Sequence, residues 1–289
     1  MNPAAQLTLS PESRFTNLKV LSIADEANPD FNISDAPVLD ALLRSQKRHF
    51  WFASRNAAIV QLLRCVGFVP PRRILEVGCG TGTVLAHLSK HGYQADGVEM
   101  HYQLARQAAE NCPRSILHCM DFLRDDDAVL DGRYHAVGLF DVLEHIAEPT
   151  SFLRRCAEAT EGGGLVVGTV PALSALWSVV DELSGHYRRY DRRTMRRELE
   201  AGGLEVVRIS YFFQTLLIPT WLHRKQIEAK SGDTDVDRTK VFHENLRVPA
   251  RPINAAFRAL CALERFAGRV TPLGGIPGAS LFFAARKTS

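Results

Sequence analysis

The chain has 289 residues, of which 46% are hydrophobic and 23% are charged, and its formal net charge at pH 7 is +3. A chain of this kind can bury a large core as one α/β domain with additions, and its charge is too small to indicate a polyanionic partner. No stretch reaches about 18 continuous apolar residues, so no segment is expected to span a bilayer.

The cysteines and the first residues bear on the cellular setting. The six cysteines include no Cys-x-x-Cys pair and no regular disulfide framework. Residues 1–14 lack a basic start followed by an apolar run, so no secretory signal is expected. We therefore predict a cytoplasmic protein, with a peripheral membrane contact left open.

The first seventy residues divide into two parts. Residues 1–35 are polar and interrupted by Pro and Asn, which predicts a flexible N-terminal arm. Apolar residues recur at helical spacing between Ala36 and Val66, which predicts two helices. We interpret residues 36–70 as a helical cap, or lid, that precedes the core.

Strands and helices alternate through the rest of the chain. Seven strands are predicted, at residues 74–77, 95–99, 115–120, 136–141, 164–170, 204–209 and 281–286. This order predicts an α/β, Rossmann-like fold with a seven-stranded, mostly parallel sheet and helices on both faces. The predicted core covers residues 71–210, a large insert covers 211–279, and the final strand lies within 280–289.

Residues 73–82 combine an apolar strand, a glycine turn and the start of a helix. Gly78 and Gly80 have no Cβ, so the backbone can adopt left-handed angles and lie against a ligand. Glu76 precedes the turn, and Glu99 ends the second strand 23 positions later. That is the spacing of an acid that binds a ribose diol in a βαβ unit, so a nucleoside ligand is predicted.

Four motifs resemble those of the class I S-adenosylmethionine (SAM) dependent methyltransferases. The first motif of that family is an acid-x-Gly-x-Gly-x-Gly loop, as at residues 76–82, where no basic residue follows to hold a pyrophosphate. The others match Glu99, Met-Asp-Phe at 120–122, and Phe-Asp-Val-Leu-Glu-His at 140–145. The resemblance implies SAM as the cofactor and a last strand inserted antiparallel into the sheet.

The resemblance assigns the cofactor contacts residue by residue. The methionine end of SAM would lie along the glycine turn, the ribose on Glu99, the adenine amino group on Asp121, and the adenine ring between Met100 and Phe122. Core packing is the alternative for Phe122. Arg55 would pair with the carboxylate of SAM. The full predicted cofactor set is Glu76, Gly78, Cys79, Gly80, Glu99, Met100, Asp121, Phe122, Phe140 and Arg55.

Residues after the fourth core strand are candidates for catalysis. Asp141, Glu144 and His145 follow this strand, where the methyl group of SAM would point. His145 could act as a general base, because the ordinary pKa of histidine is near neutrality. The alternative is that this ending is a family feature without a catalytic role.

The spacing of Asp141, Glu144 and His145 also groups metal-ligand types. It resembles the acid-x-x-Glu-His motif of metal-assisted O-methyltransferases, including those of ubiquinone biosynthesis and of small-RNA 3′ ends, in which a later histidine completes the site. His186 could be that histidine. The resemblance implies a divalent metal that lowers the pKa of an acceptor oxygen, although Asp replaces the usual first Glu and is shorter.

The polar aromatic run at residues 177–191 resembles a His-Tyr-Arg-Arg-Tyr signature found in a bacterial subgroup of these methyltransferases. It predicts an acceptor-binding loop in which His186 and Tyr187 take part in catalysis and Arg188 contacts the acceptor. The alternatives are that Asp191 caps the next helix, whose arginines face solvent, or that these arginines meet phosphate or anionic lipid.

The insert at 211–279 is much longer than the hairpin that is usual in the family. Its first part is apolar and aromatic and leads to the basic run at 223–225, which indicates an interfacial surface. A lid, a hydrophobic substrate wall and a dimer contact are the alternatives.

These features predict a SAM-dependent methyltransferase that acts on a small-molecule or lipid-like acceptor, at a hydroxyl oxygen, with amine and carbon acceptors left open. Methylation of RNA or protein is one alternative, and a SAM-binding protein without turnover is another. No nucleic-acid partner is expected, because the net charge is modest and no nucleic-acid module is recognisable. The protein is expected to be a monomer or a homodimer.

Overall fold

One mixed sheet runs through the computed structural model, which describes residues 16–21, 36–125, 130, 132–230, 241, 244–270 and 273–288. Its strands are β1 (Leu18–Val20), β2 (Arg73–Val77), β3 (Gln94–Glu99), β4 (Leu117–Cys119), β5 (Tyr134–Phe140), β6 (Thr160–Pro171), β7 (Leu204–Phe212) and β8 (Ser280–Lys287). Within the described ranges their order in the sheet is β1-β4-β3-β2-β5-β6-β8-β7.

The last strand enters the sheet in the opposite direction. β8 lies between β6 and β7 and is antiparallel to both, with Ala284 opposite Val167 and Phe283 opposite Ile209. The other pairings are parallel. The seven predicted strands are therefore confirmed as β2 to β8, the last of them inserted antiparallel, and β1 is an eighth strand of the sheet.

Both faces of the sheet are apolar because helices cover both. Along β2, Ile74 belongs to one core cluster and Leu75 to the other, and Phe282 and Phe283 of β8 divide in the same way. Successive side chains of a strand point to opposite faces, so unbroken apolar runs fit strands that are buried on both sides. The predicted fold class is confirmed.

The helices that flank the sheet are α1 (Ala36–Arg48), α2 (Phe50–Cys65), α3 (Thr83–Lys90), α4 (Tyr102–Asn111), α5 (Pro149–Ala159), α6 (Val179–Leu183), α7 (Arg192–Ala201), α8 (Leu217–Lys230) and α9 (Arg251–Val270). The helices α1 and α2 occupy the predicted cap region. The insert packs against it, since the rings of Phe50 and Phe257 stack 4.8 Å apart. Gln61 Nε2 also donates to the carbonyl of Arg265 at 2.9 Å.

Part of the predicted N-terminal arm is a strand instead. β1 pairs in parallel with β4, and Asn17 Nδ2 donates to the carbonyl of Ser115 at 3.0 Å. An edge strand offers unpaired backbone groups, and β1 satisfies those of β4. Three residues within a polar segment are too few for their pattern to show this. The rest of residues 1–35 lies outside the described residues.

Within its described residues, the insert contributes the helices α8 and α9, on either side of a polar stretch at 231–240 that lies outside the described residues. Ile218, Trp221 and Leu222 on α8 expose apolar surface, as the interfacial interpretation predicts, although a lid or a dimer contact would expose it too. Among the helices that the structure describes, none combines the length and apolar character needed to cross a bilayer.

Candidate cofactor and acceptor site

The parallel strands β2 to β6 all end at the same edge of the sheet. From β2 the chain moves outward to β3 and β4 on one side, whereas β5 and β6 lie on the other. Ligands of open α/β sheets bind beyond the carboxyl ends of the strands at such a reversal of strand order. The fold therefore brings the predicted motifs together around a crevice between β2 and β5.

The glycine turn after β2 has left-handed backbone angles at Gly78 (φ 70°) and Gly80 (φ 55°). A Cβ on Gly78 would lie 2.8 Å from Cγ2 of Val142, whereas a Cβ on Gly80 would meet no atom within 4 Å. Packing thus requires the first glycine, and the second leaves space for a ligand to approach the backbone. Between them, Cys79 is buried, and burial raises the pKa of its thiol, which fits a packing residue.

Glu99 connects the glycine turn to the end of β3. Its Oε2 accepts a hydrogen bond from the backbone N–H of Gly80 at 2.9 Å, and its Oε1 accepts one from the N–H of His101 at 3.0 Å. These bonds hold the carboxylate in one orientation at the turn. That orientation fits the predicted role of Glu99 as the acceptor for ribose hydroxyls.

Glu76 is buried in the same crevice, with 2% of its surface exposed. Its Oε2 has no hydrogen-bond partner in the described part of the structure. Burial raises the pKa of the carboxyl to about 8, with Arg55 opposing the shift and Glu99 adding to it. A buried carboxyl oxygen without a partner is costly, so Glu76 fits a site in which a ligand supplies the partner.

The predicted adenine contacts lie at different depths. Met100 is 40% exposed, and the partly exposed Asp121 accepts a hydrogen bond from the N–H of Leu123 at 3.0 Å. Phe122 is buried, and its ring meets that of Phe152 edge-on at 5.7 Å. Phe122 therefore occupies the position that its core-packing interpretation predicts, while Met100 and Asp121 remain accessible.

The end of β5 is joined to the cap helix α2. Arg55 Nη1 donates to Asp141 Oδ2 at 2.6 Å, and Thr169 Oγ1 donates to Asp141 Oδ1 at 3.0 Å. Asp141 has a left-handed φ of 60°, which is unusual for a residue with a side chain, so these contacts stabilise a strained backbone. Phe140 is buried and packs on Gly138. Arg55 therefore has a protein carboxylate as its partner.

Two histidines from different segments meet beyond β5. The rings of His145 and His186 are 4.7 Å apart and arranged edge to face. The N–H of Tyr187 donates to the carbonyl of Glu144 at 2.8 Å, which fixes the 184–190 loop on the short 3-10 turn Leu143–His145. Burial, followed by the charge of His186, lowers the pKa of His145 to about 4, so this ring is neutral at pH 7.

Three of the four predicted metal ligands come together. The ligand atoms of Glu144, His145 and His186 all lie within 4.8 Å of one another, and Glu144 Oε2 is buried without a partner among the described residues. Asp141 is not part of this group, since Arg55 and Thr169 bind its carboxylate. Two imidazoles and one carboxylate form a donor set that suits a divalent transition metal.

Asp181 is a buried carboxylate whose partners the sequence did not predict. Its carboxylate accepts hydrogen bonds from His186 Nδ1 at 2.9 Å, Arg189 Nε at 2.8 Å and Arg224 Nη1 at 2.5 Å. Burial opposes ionisation, yet these bonds and charges lower the pKa of Asp181 to about 2. The spacing of Ser178 and Asp181 is typical of a capping box and indicates the start of a helix. No local pattern indicates the contact with Arg224.

Some of the remaining residues of the polar aromatic run at 177–191 have structural roles, and others are accessible to an acceptor. Asp191 Oδ1 accepts a hydrogen bond from the N–H of Thr194 at 2.7 Å and caps α7, as the structural interpretation predicts. Arg188 donates to the carbonyl of Ala147 at 2.7 Å. Tyr187 is 61% exposed and is therefore accessible to an acceptor.

The inserted antiparallel strand, the glycine turn with its flanking acids and the strand-end crevice define the fold and site of a class I SAM-dependent methyltransferase. Residues 45–209, more than half of the chain, match a family model described as a methyltransferase domain. The chain belongs to this methyltransferase family.

Curated relatives match a shorter part of the chain. Over 110 residues it is 31% identical to a ubiquinone biosynthesis O-methyltransferase of Alkalilimnicola ehrlichii, which covers 36% of this chain and 43% of that protein. Over 108 residues it is 28% identical to the protein of the same name from Yersinia pestis, which covers 36% of this chain and 45% of that protein. The chain thus spans less than half the length of these relatives.

Solved structures share the fold over most of the chain. Phosphoethanolamine N-methyltransferase 2 of Haemonchus contortus matches with a TM-score of 0.56 and 17% identity, covering 90% of this chain and 59% of that chain. Geranyl diphosphate C-methyltransferase from Streptomyces coelicolor matches with a TM-score of 0.52 and 13% identity, covering 80% of this chain and 76% of that chain. At these identities the likeness shows the fold alone.

Proposed function

We propose that this protein transfers the methyl group of SAM to a hydroxyl oxygen of a small-molecule or lipid-like acceptor. The observation that carries the proposal is the crevice between β2 and β5. There the buried carboxyls of Glu76 and Glu99 flank an open glycine turn, and His145 and His186 meet beyond the adjoining strand.

The charges of the crevice support SAM as the ligand. SAM carries a sulfonium and an ammonium group, and both are stabilised by a carboxylate in a site with little water. Glu76 lacks a partner for Oε2, which a cationic ligand would supply. Arg55 pairs with Asp141 at the end of β5, and its guanidinium would bind the carboxylate of SAM beside or in place of Asp141.

The histidines support an oxygen acceptor. His186 donates a hydrogen bond from its Nδ1–H to the ionised Asp181, which leaves Nε2 able to accept a proton. We infer that this nitrogen, or that of the neutral His145, removes the hydroxyl proton as the oxygen attacks the methyl carbon of SAM. The carbon–sulfur bond breaks with its electron pair on sulfur, which releases S-adenosylhomocysteine. The relatives from Alkalilimnicola and Yersinia are also named as O-methyltransferases.

The test combines SAM titration calorimetry with detection of S-adenosylhomocysteine. We expect SAM to bind, and product to form with phenols or long-chain alcohols but not with the matching amines. Glu99→Gln should raise the Kd for SAM at least about tenfold, because it removes a charged hydrogen-bond acceptor. Glu205→Gln, an exposed change on β7, is the matched control.

The outcomes separate the alternatives. Absence of SAM binding would refute the proposal as a whole, and product formed only with amines, RNA or protein would refute the acceptor class. Binding of SAM without turnover on any of these acceptors would identify a SAM-binding protein that is not an enzyme.

A metal-assisted form of the same reaction is a second candidate, because Glu144, His145 and His186 place their ligand atoms within 4.8 Å of one another. A divalent ion held there would polarise the acceptor oxygen. This version requires metal in the purified active protein and loss of turnover with a chelator. Full activity in metal-free protein would exclude it.

A further inference from the structure

A groove of about 590 Å³ lies between α1 and α9, and none of the residues assigned to methyl transfer lines it. Backbone and side chains of α1, of the segment at 246–249 and of the start of α9 form its walls. Among the described residues that line it, six are cationic and none is acidic: the cations are Arg44, Lys47, Arg48, Arg247, Arg251 and Arg258.

This concentration of charge is local. The whole chain has a net charge of only +3, so the groove is not one part of a generally basic surface. Arg44 is paired with Asp40, and both side chains are largely exposed. The other five cations make no ion pair with a carboxylate in the part of the chain that the structure describes. Like charges held close together repel each other unless an anion neutralises them.

The two walls are fixed relative to each other. Asn254 of α9 donates from Nδ2 to the carbonyl of Arg48 at 2.9 Å and accepts from the N–H of Phe50 at 2.8 Å. Ser45, which also lines the groove, is 1% exposed, and its Oγ has no hydrogen-bond partner among the described residues. The groove therefore combines a preformed shape, unneutralised cations and an unpartnered buried hydroxyl.

We propose that this groove binds a phosphate or diphosphate group. A phosphate ester carries up to two negative charges and several acceptor oxygens, which match the planar donors of several arginines and a hydroxyl. The phosphate belongs either to a soluble phosphate ester or to the headgroup of an anionic phospholipid. The helix α1, which forms one wall of the groove, also contacts the glycine turn, since Thr81 Oγ1 donates to Gln46 Oε1 at 2.6 Å. A bound phosphate would thus lie on the helix that touches the cofactor turn.

The test measures anion binding without SAM, because the inference goes beyond the proposed function and does not rest on it. Pyrophosphate is titrated into the full chain by calorimetry at constant ionic strength, with chloride as the balancing anion. The double variant Arg251→Gln/Arg258→Gln removes two exposed groove charges. Arg193→Gln/Arg197→Gln removes two exposed charges from α7 and is the matched control.

We expect the wild-type protein to bind pyrophosphate at one site, the groove variant to bind at least about tenfold more weakly, and the control to bind as the wild type does. Co-sedimentation with vesicles of equal parts phosphatidylglycerol and phosphatidylcholine identifies the source. Vesicle binding that the groove variant loses indicates a lipid phosphate, and pyrophosphate binding alone indicates a soluble ester.

Two results would overturn the proposal. In the first, the wild-type protein binds neither pyrophosphate nor the anionic vesicles. In the second, the groove variant binds pyrophosphate as tightly as the control does, whether both lose affinity or neither does, which would show that the groove is not the binding site. SAM titration of the same samples keeps this test apart from the proposed function, since the groove variant should bind SAM as the wild type does.

Discussion

Arg55 and Asp141 form an ion pair between the cap helix α2 and the end of β5, with Nη1 and Oδ2 2.6 Å apart. The Arg55 side chain is 10% exposed and that of Asp141 is 27% exposed, so water screens the pair only in part. The same guanidinium is expected to bind the carboxylate of SAM. The pair therefore couples the position of the cap to the cofactor site.

Arg55→Ala should weaken SAM binding and lower stability. Loss of a charge-assisted hydrogen bond should raise the Kd for SAM at least about tenfold. The free energy of unfolding should fall by roughly 1–3 kcal/mol, because Asp141 loses its partner in a partly buried place. Calorimetry and urea unfolding measure the two effects. Arg196→Ala is the control, since its pair with Glu200 is more than half exposed; an unchanged Kd in Arg55→Ala would remove this residue from the site.

Glu76→Gln should stabilise the cofactor-free protein while weakening SAM binding. The folded-state pKa of about 8 lies above the ordinary value of 4.5, so the folded protein keeps a proton that the unfolded chain releases. Stability therefore falls as the pH rises from about 4.5 towards 8, and the Gln variant lacks this loss. At pH 7 the variant should be more stable by roughly 1–3 kcal/mol.

Urea unfolding at pH 5 and pH 7.5 checks this prediction, because the gain should be clearly larger at the higher pH. Wild-type protein should also release protons on binding SAM, which appears as a buffer-dependent heat in calorimetry, whereas Glu76→Gln should not. Equal stability of both proteins at both pH values would show that the carboxyl of Glu76 is ionised in the folded, cofactor-free protein.

Alanine at the two left-handed glycines should fail in different ways. Both Gly78 and Gly80 have positive φ, so each substitution costs about 1 kcal/mol in backbone strain. Gly78→Ala adds a clash with Val142 and should lose roughly 1–3 kcal/mol more. Gly80→Ala meets no protein atom, so it should stay folded, but its methyl group should abolish SAM binding.

Thermal unfolding and SAM titration separate these effects. Gly203→Ala is the control, because Gly203 has a φ of 78° and open space around it but lies outside the turn. It should show the strain without any change in SAM affinity. Normal SAM binding by Gly80→Ala would mean that the cofactor does not approach this backbone.

The sequence reveals those features of the fold and site that depend on neighbouring residues. The glycine turn, the acid at Glu99 and the Asp191 cap are local patterns, and the structure has the turn and the cap where they were predicted. The antiparallel direction of β8 was predicted only from the family resemblance, because the direction of a strand in a sheet depends on long-range pairing. The sequence does not predict the strand β1 or the contact between Asp181 and Arg224, which are 43 positions apart. In both cases only folding brings the partners together.

The buried Asp181 ties the 184–190 loop to the insert, and its removal should lower both stability and turnover. Asp181→Asn leaves Arg189 and Arg224, whose side chains are 3% and 16% exposed, without a carboxylate. It should therefore lower the free energy of unfolding by roughly 3–5 kcal/mol. It should also slow methyl transfer without changing the Kd for SAM, because Asn does not hold His186 in one tautomer and the glycine turn is untouched.

Arg224→Gln isolates the contribution of the insert. It leaves the bonds of Asp181 to His186 and Arg189 in place and removes those of Arg224 to Asp181 and to Ser178 Oγ, the latter at 2.6 Å. We expect a loss of roughly 1–3 kcal/mol in urea unfolding and a smaller fall in turnover than in Asp181→Asn. Lys225→Gln, the next residue on α8, breaks only an exposed pair with Glu228 and should change neither. If the two α8 variants behave alike, Asp181 does not hold the insert against the 184–190 loop.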